Sequence, residues 1–155
     1  MKMSMPFGSN GYCGPTVLSI LSGKSTDECS LLASKNGKRL GPMRIDQLTY
    51  SLTALGINHL PYKSAFDRCR YNNKNYPYPT LKQWMKEVRR PSEYNTPFVL
   101  AITGHYILVK GDEVVDTLTQ GQWVNIASYK RKASHVRGFI KILDESIQPE
   151  QGMAA

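Results

Sequence analysis

Three side chains in this sequence have the types and settings needed for covalent acyl chemistry: a thiol at Cys13, an imidazole at His105 and a carboxylate at Asp116. Cys13 lies in Gly11-Tyr12-Cys13-Gly14-Pro15, just ahead of the apolar run that ends at Leu21. Proline suits the first helical position, so the cysteine is expected at a helix start. The unpaired N–H groups and the dipole at such an end favour an anion, hence thiolate over thiol. His105 follows Gly104 at the head of an alternating stretch, and Asp116 comes eleven residues later. Gly111-Asp112 between them reads as a hairpin turn. With a two-residue turn, Lys110 faces Glu113, Val109 faces Val114, Ile107 faces Asp116 and His105 faces Leu118. Asp116 is then the diagonal neighbour of His105 on one sheet face, about 7–8 Å backbone to backbone, close enough for a side-chain hydrogen bond. A four-residue loop keeps this relation, and a three-residue loop turns Asp116 to the opposite face. A nucleophile, a base and an acid that orients the base are the parts of covalent catalysis.

The other thiols and imidazoles read differently. Cys29 falls inside a helical pattern and is expected in the core. Cys69, between Arg68 and Arg70 in an irregular stretch, reads as an incidental thiol. His59, before Leu60-Pro61, and His135, beside the Lys130-Arg131-Lys132 run, read as structural. No spacing of Cys and His suggests a metal site, no Gly-rich phosphate loop appears, and no cofactor is expected.

The elements that must position these groups divide into a helical half and a β half. Pro15 to Leu21 reads as a buried helix with Gly23 as its stop. A second helix starts near Ser25-Thr26-Asp27 and is expected to stop at Asn36-Gly37. A third runs from about Met43 to Leu55, with Gly56 as cap. Residues 61–80 hold three prolines and four Tyr and read as a surface excursion. A short helix from Thr80 to about Arg89 closes at Pro91. Period two then takes over, in strands at 97–103, 105–110, 113–117 and 135–142. Helices first and antiparallel strands after, without alternation, is an α+β layout.

Taken together, Gly-Tyr-Cys13-Gly-Pro-Thr before a buried helix, Gly-His105-Tyr-Ile-Leu-Val and Val-Val-Asp116-Thr resemble the papain-like cysteine peptidases. The resemblance is closest to the C39-like, bacteriocin-processing branch and extends to small phage proteins of this fold. It covers most of the chain in order: helical half with Cys first, β half with His and Asp second. It implies a papain-like fold with the nucleophile helix packed on an antiparallel sheet, Cys13 as nucleophile, His105 as general base and acid, and Asp116 as orienter of His105. One feature departs from the pattern. Papain-like enzymes carry a Gln several residues before the nucleophile to help bind the oxyanion, and here only Asn10 offers a side-chain amide in that stretch. Losing one such donor costs on the order of 10²–10³ in turnover, and Ser9-Asn10-Gly11 is also an ordinary turn sequence.

Length and composition bound these readings. The 155 residues, 41% apolar and 21% charged, fit one domain, expected over residues 1–143. Residues 144–155 carry Asp144, Glu145 and Glu150, no base and no apolar period, and read as a disordered acidic tail. The longest apolar stretch, Phe98 to Ile102, is five residues, too short for a membrane span. With no apolar leader segment and three sparse cysteines, the expected compartment is the cytoplasm, that of a host cell for a phage protein. The expected substrate is a peptide or isopeptide bond in a protein, with a weak preference for acidic partners from the net charge of +8, and the expected state is a monomer. Two other readings stay open: the same fold as an acyltransferase or catalytically impaired peptide-binding protein, and a basic nucleic-acid or host-factor binding protein. The last draws on Tyr beside Lys and Arg, as at Arg70-Tyr71 and Tyr129-Lys130-Arg131-Lys132.

Overall fold

The buried helix expected after Cys13 forms as α1 (Cys13–Ser22), and every residue from Gly14 to Leu21 is buried. A segment this apolar on all sides belongs at the centre of a fold. The computed structural model describes residues 13–34, 43–65 and 78–143. Asn10, Cys69 and the 144–155 tail lie outside the described residues.

Helix α2 (Thr26–Leu31) starts where Ser25 Oγ accepts the Glu28 N–H at 3.1 Å. It ends short of the expected Asn36-Gly37 stop. Leu31 is exposed, so prolonging the helix would bury little, and the Leu32 N–H turns back to the Cys29 carbonyl. Helix α3 (Ile45–Ala54) is capped by the Gln47 side chain, whose Oε1 accepts the Arg44 N–H at 3.0 Å. Helix α4 (Leu81–Gln83) opens on a reciprocal capping box between Thr80 and Gln83 and widens into a π-helical turn over Trp84–Val88. The buried Trp84 ring packs against Phe98 and Phe139 at that widened turn.

All strands of the sheet are antiparallel. They are β1 (Lys63–Ser64), β2 (Phe98–Ile102), β3 (His105–Lys110), β4 (Glu113–Val115), β5 (Val124–Asn125) and β6 (Val136–Lys141), in the order β1-β6-β2-β3-β4-β5. β1 lies in the stretch expected to be irregular throughout, and β5 beyond the expected hairpin. Each has two residues, too few to show a period, and both are edge strands.

Alternation along the strands splits the core in two. Val99, Leu108, Val115 and Ile140 face α1–α3, while Phe98, Leu100, Ile107, Val109, Val114 and Phe139 face α4 and the π-helical turn. The sheet is thus the middle layer of an α+β fold, with α4 on the face away from α1. Among the described residues no helix is long and apolar enough to cross a membrane.

The β3–β4 hairpin has the expected register, with Lys110 opposite Glu113 and Val109 opposite Val114. Its turn is clamped from outside. The buried Arg89 donates to the Gly111 carbonyl at 2.7 Å, the Gly111 N–H donates to the Tyr94 carbonyl at 2.8 Å, and the Arg89 guanidinium lies 5.0 Å from the centre of the Tyr94 ring. Arg89→Met keeps the apolar stem but leaves the Gly111 carbonyl without that donor. Urea titration should show a loss of about 1–3 kcal/mol, the cost of an unpaired buried polar group. An unchanged midpoint would mean the clamp contributes nothing.

Candidate active site

The first residue of α1 and the first residue of β3 meet. The Cys13 thiol and the His105 ring are hydrogen-bonded to one another. His105 Nε2 lies 2.7 Å from Asp116 Oδ2, with a ring only 11% exposed and a carboxylate with no exposure. Because Nε2 is committed to Asp116, Nδ1 is the nitrogen left to face the thiol. The three sequence candidates therefore form one hydrogen-bonded chain. Asn10 is outside the described residues.

Local conformation explains how each group gets there. Cys13 is held at the head of a helix buried from Gly14 to Leu21, and Met43 covers Gly14, with its Sδ 2.9 Å from where a Cβ would stand. Tyr106 ties the same corner to the sheet by donating from its hydroxyl to the Met43 carbonyl at 2.8 Å. His105 follows a β2–β3 turn in which Gly104 has φ +66°, a conformation that side chains other than glycine rarely adopt.

Asp116 arrives differently from the expected extended pairing. The β3–β4 ladder ends at Leu108 opposite Val115, so neither Ile107 with Asp116 nor His105 with Leu118 pairs. Instead Asp116 starts a tight turn. Its Oδ1 accepts the Thr119 N–H at 3.0 Å, and the Thr119 hydroxyl accepts the Asp116 N–H and donates to the Asp116 carbonyl, both at 3.1 Å. An Asp side chain that satisfies the backbone of its own turn competes with the ladder and ends the strand. The turn still delivers Oδ2 to His105.

That oxygen has a second donor absent from the sequence reading: the buried Tyr129 hydroxyl also donates to Asp116 Oδ2. Burial raises the Tyr129 phenol well above its ordinary range, and the Asp116 bond raises it further, so it remains a donor. No periodicity points to Tyr129, because the irregular chain between Asp116 and Tyr129 sets its place. Beside it, Arg131 donates to the Thr103 carbonyl at 2.8 Å, two residues ahead of His105.

The electrostatics follow from these contacts. Burial disfavours the Cys13 thiolate, yet hydrogen bonds from His105 and the Tyr106 backbone and the His105 charge together bring the thiol below its ordinary value. Burial also disfavours charge on His105, but hydrogen bonds and charge at Asp116 and Cys13 outweigh it and raise the ring to about 9. The pair is therefore biased toward thiolate and imidazolium at neutral pH. Cys29 shows the contrast: buried, 3.8 Å from Ser22 Oγ and without an imidazole partner, it is pushed up to about 11. His59 Nδ1 lies 2.9 Å from the Ile57 carbonyl, and His135 pairs with Thr80 in an isolated bridge. Both are structural positions. Among the described residues no three His, Cys, Asp or Glu side chains cluster as metal ligands.

No family model, curated protein or solved structure matches the chain, so the site is read from its own geometry.

Tyr129→Phe removes one donor from a carboxylate without solvent. Stability should fall by about 1–3 kcal/mol. The negative charge left on Oδ2 should hold the imidazolium harder, moving the His105 titration upward from about 9. An NMR titration of the His105 ring checks this, and an unmoved midpoint would show that Tyr129 does not share the carboxylate.

Proposed function

We propose that this chain is a papain-like cysteine hydrolase that cleaves a peptide or isopeptide bond through a thioester, most similar in design to the C39-like branch. The observation that supports this reading is the unbroken chain from Cys13 through His105 to the buried Asp116. In this reading the Cys13 thiolate attacks the carbonyl carbon, forming a C–S bond and an oxyanion. The Cys13 backbone N–H, which has no intrahelical partner at the first position of α1, is available to that oxyanion. His105 then passes the imidazolium proton to the leaving amine as the C–N bond breaks. Neutral His105 next takes a proton from water as its oxygen attacks the thioester, and the C–S bond breaks to restore the thiolate and imidazolium. Asp116 holds the ring by Nε2 throughout, leaving Nδ1 to exchange the proton.

The order of elements supports a papain-like arrangement: a nucleophile at the start of a buried helix, packed against an antiparallel sheet whose strand supplies the histidine. A protein or peptide substrate is part of the same proposal, as is action in a cytoplasm.

Labelling with iodoacetamide near neutral pH, with mapping of the modified residue, should mark Cys13 far faster than Cys29, whose thiol is pushed up and buried. Equal rates at the two would remove the basis for the proposal. Against a peptide library, Cys13→Ala and His105→Ala should each abolish hydrolysis with the fold intact, while Asp116→Ala retains measurable turnover.

The pH profile has a defined sign. Hydrolysis needs thiolate and imidazolium together, so kcat/KM should rise through the lowered Cys13 titration and fall as pH passes about 9, where His105 loses its proton. A profile still rising above that pH would contradict the assignment of His105 as the acid.

A further inference from the structure

The positive charge of the chain is not spread evenly. Residues 78–90 and 126–137 hold eight of the 20 Lys and Arg but one of the 12 Asp and Glu. The remaining 130 residues hold 12 bases and 11 acids, close to balance. The fold makes the two basic segments neighbours. The Leu81 N–H donates to the Ser134 carbonyl at 2.8 Å, the Lys82 N–H to the Lys132 carbonyl at 3.2 Å, and the Val136 N–H to the Pro79 carbonyl at 2.8 Å.

Their apolar side chains, including Leu81, Trp84, Val88, Tyr129 and Val136, are spent on the core cluster under α4. The side chains of Lys82, Lys86, Arg90, Lys130, Lys132 and Arg137 are left exposed. Several cations of these segments also have internal partners: Arg89 donates to the Gly111 carbonyl, Arg131 to the Thr103 carbonyl and Lys132 Nζ to the Ala127 carbonyl at 3.0 Å, and Arg137 lies over the Tyr78 ring at 5.5 Å. This layer covers the sheet face opposite α1, so the basic surface is distinct from the helix that carries Cys13.

The chemistry of the surface discriminates between partners. A protein interface has an apolar centre with a polar rim. Among the described residues the exposed large apolar side chains are Leu31, Tyr50, Leu60, Tyr94, Leu118 and Leu143, and none of these falls in either segment. A phosphate backbone asks only for spaced cations, because release of its counterions supplies the affinity. We propose that the face formed by residues 78–90 and 126–137 binds the phosphate backbone of a nucleic acid, without base specificity. This surface stands whether or not Cys13 acts as a hydrolase.

The test is fluorescence anisotropy of the full chain with a labelled random-sequence DNA duplex and with its single strand, over a salt series. Log affinity should fall linearly with log salt at about 0.7–0.9 per phosphate contact. Lys82→Gln with Lys130→Gln takes one exposed lysine from each segment and should make the slope shallower by about 1.5. The control pair Lys24→Gln with Arg44→Gln, which removes the same charge from the helical layer, should leave the slope nearly unchanged. Lys82→Arg with Lys130→Arg should restore it, and Cys13→Ala should bind as the unaltered chain does. Affinity weaker than about 10⁻⁴ M for both probes at physiological salt, the weak limit of non-specific binding, would overturn the proposal. So would equal losses in the two Gln pairs. Displacement of DNA by polyglutamate at equal charge concentration would assign the face to an acidic protein instead, and would likewise overturn it.

Discussion

A charged carboxylate without solvent contact survives in a fold only when donors replace the water it has lost. The Asp116 side chain meets that condition with the Thr119 N–H on one oxygen and His105 and Tyr129 on the other. Leaving such a group short of donors costs several kcal/mol, so each donor constrains the piece of structure that carries it. The hairpin clamp at Gly111 fixes where β4 begins, the Asp116–Thr119 turn ends it and fixes the carboxylate, and the loop to Tyr129 must close over it. The position of His105, and hence of the nitrogen that faces Cys13, is a consequence of satisfying this one buried charge.

The two described thiols show how strongly surroundings decide cysteine chemistry. Both are largely removed from water and both are free. Cys29 has only a weak hydroxyl neighbour, and desolvation pushes its proton on. Cys13 has an imidazole and backbone donors, which more than cancel the same desolvation. The difference originates in topology rather than in the residue: α1 begins at the end of the sheet where β3 begins, so its first side chain meets a histidine. Met43 over Gly14, held through Tyr106, keeps that corner closed on its far side.

Much of this was legible before the structure, and for identifiable reasons. The α1 stretch is apolar without interruption, and the β3–β4 pattern has a two-residue Gly-Asp turn, so element type and register followed from period and turn chemistry. The pairing of His105 with Asp116 was reachable from that register, although the route differs: the sequence pattern extends the strand through Asp116, whereas Asp116-x-x-Thr119 is itself a turn signal that ends it. Tyr129 was not reachable, since a thirteen-residue separation through irregular chain carries no phase information. Nor was the basic face. Along the sequence the cations look scattered, and only the backbone bonds between Leu81 and Ser134 and between Lys82 and Lys132 show that two distant segments share one surface.

Exposed cations and buried catalytic candidates respond differently to salt. Exposed ammonium groups are screened by salt over about 8 Å at physiological ionic strength, whereas a buried pair is screened much less. His105 and Asp116, 2.7 Å apart around a fully buried carboxylate, therefore interact at nearly full strength whatever the salt. Of the cations near the site, Arg131 is tied to the Thr103 carbonyl, and the donors on Asp116 Oδ2 are His105 and Tyr129. A salt-sensitive surface and a salt-insensitive hydrogen-bonded chain can then coexist in 155 residues without either setting the protonation of the other. The segment 126–137 serves both, because Tyr129 points into the core while its neighbour Lys130 points to solvent.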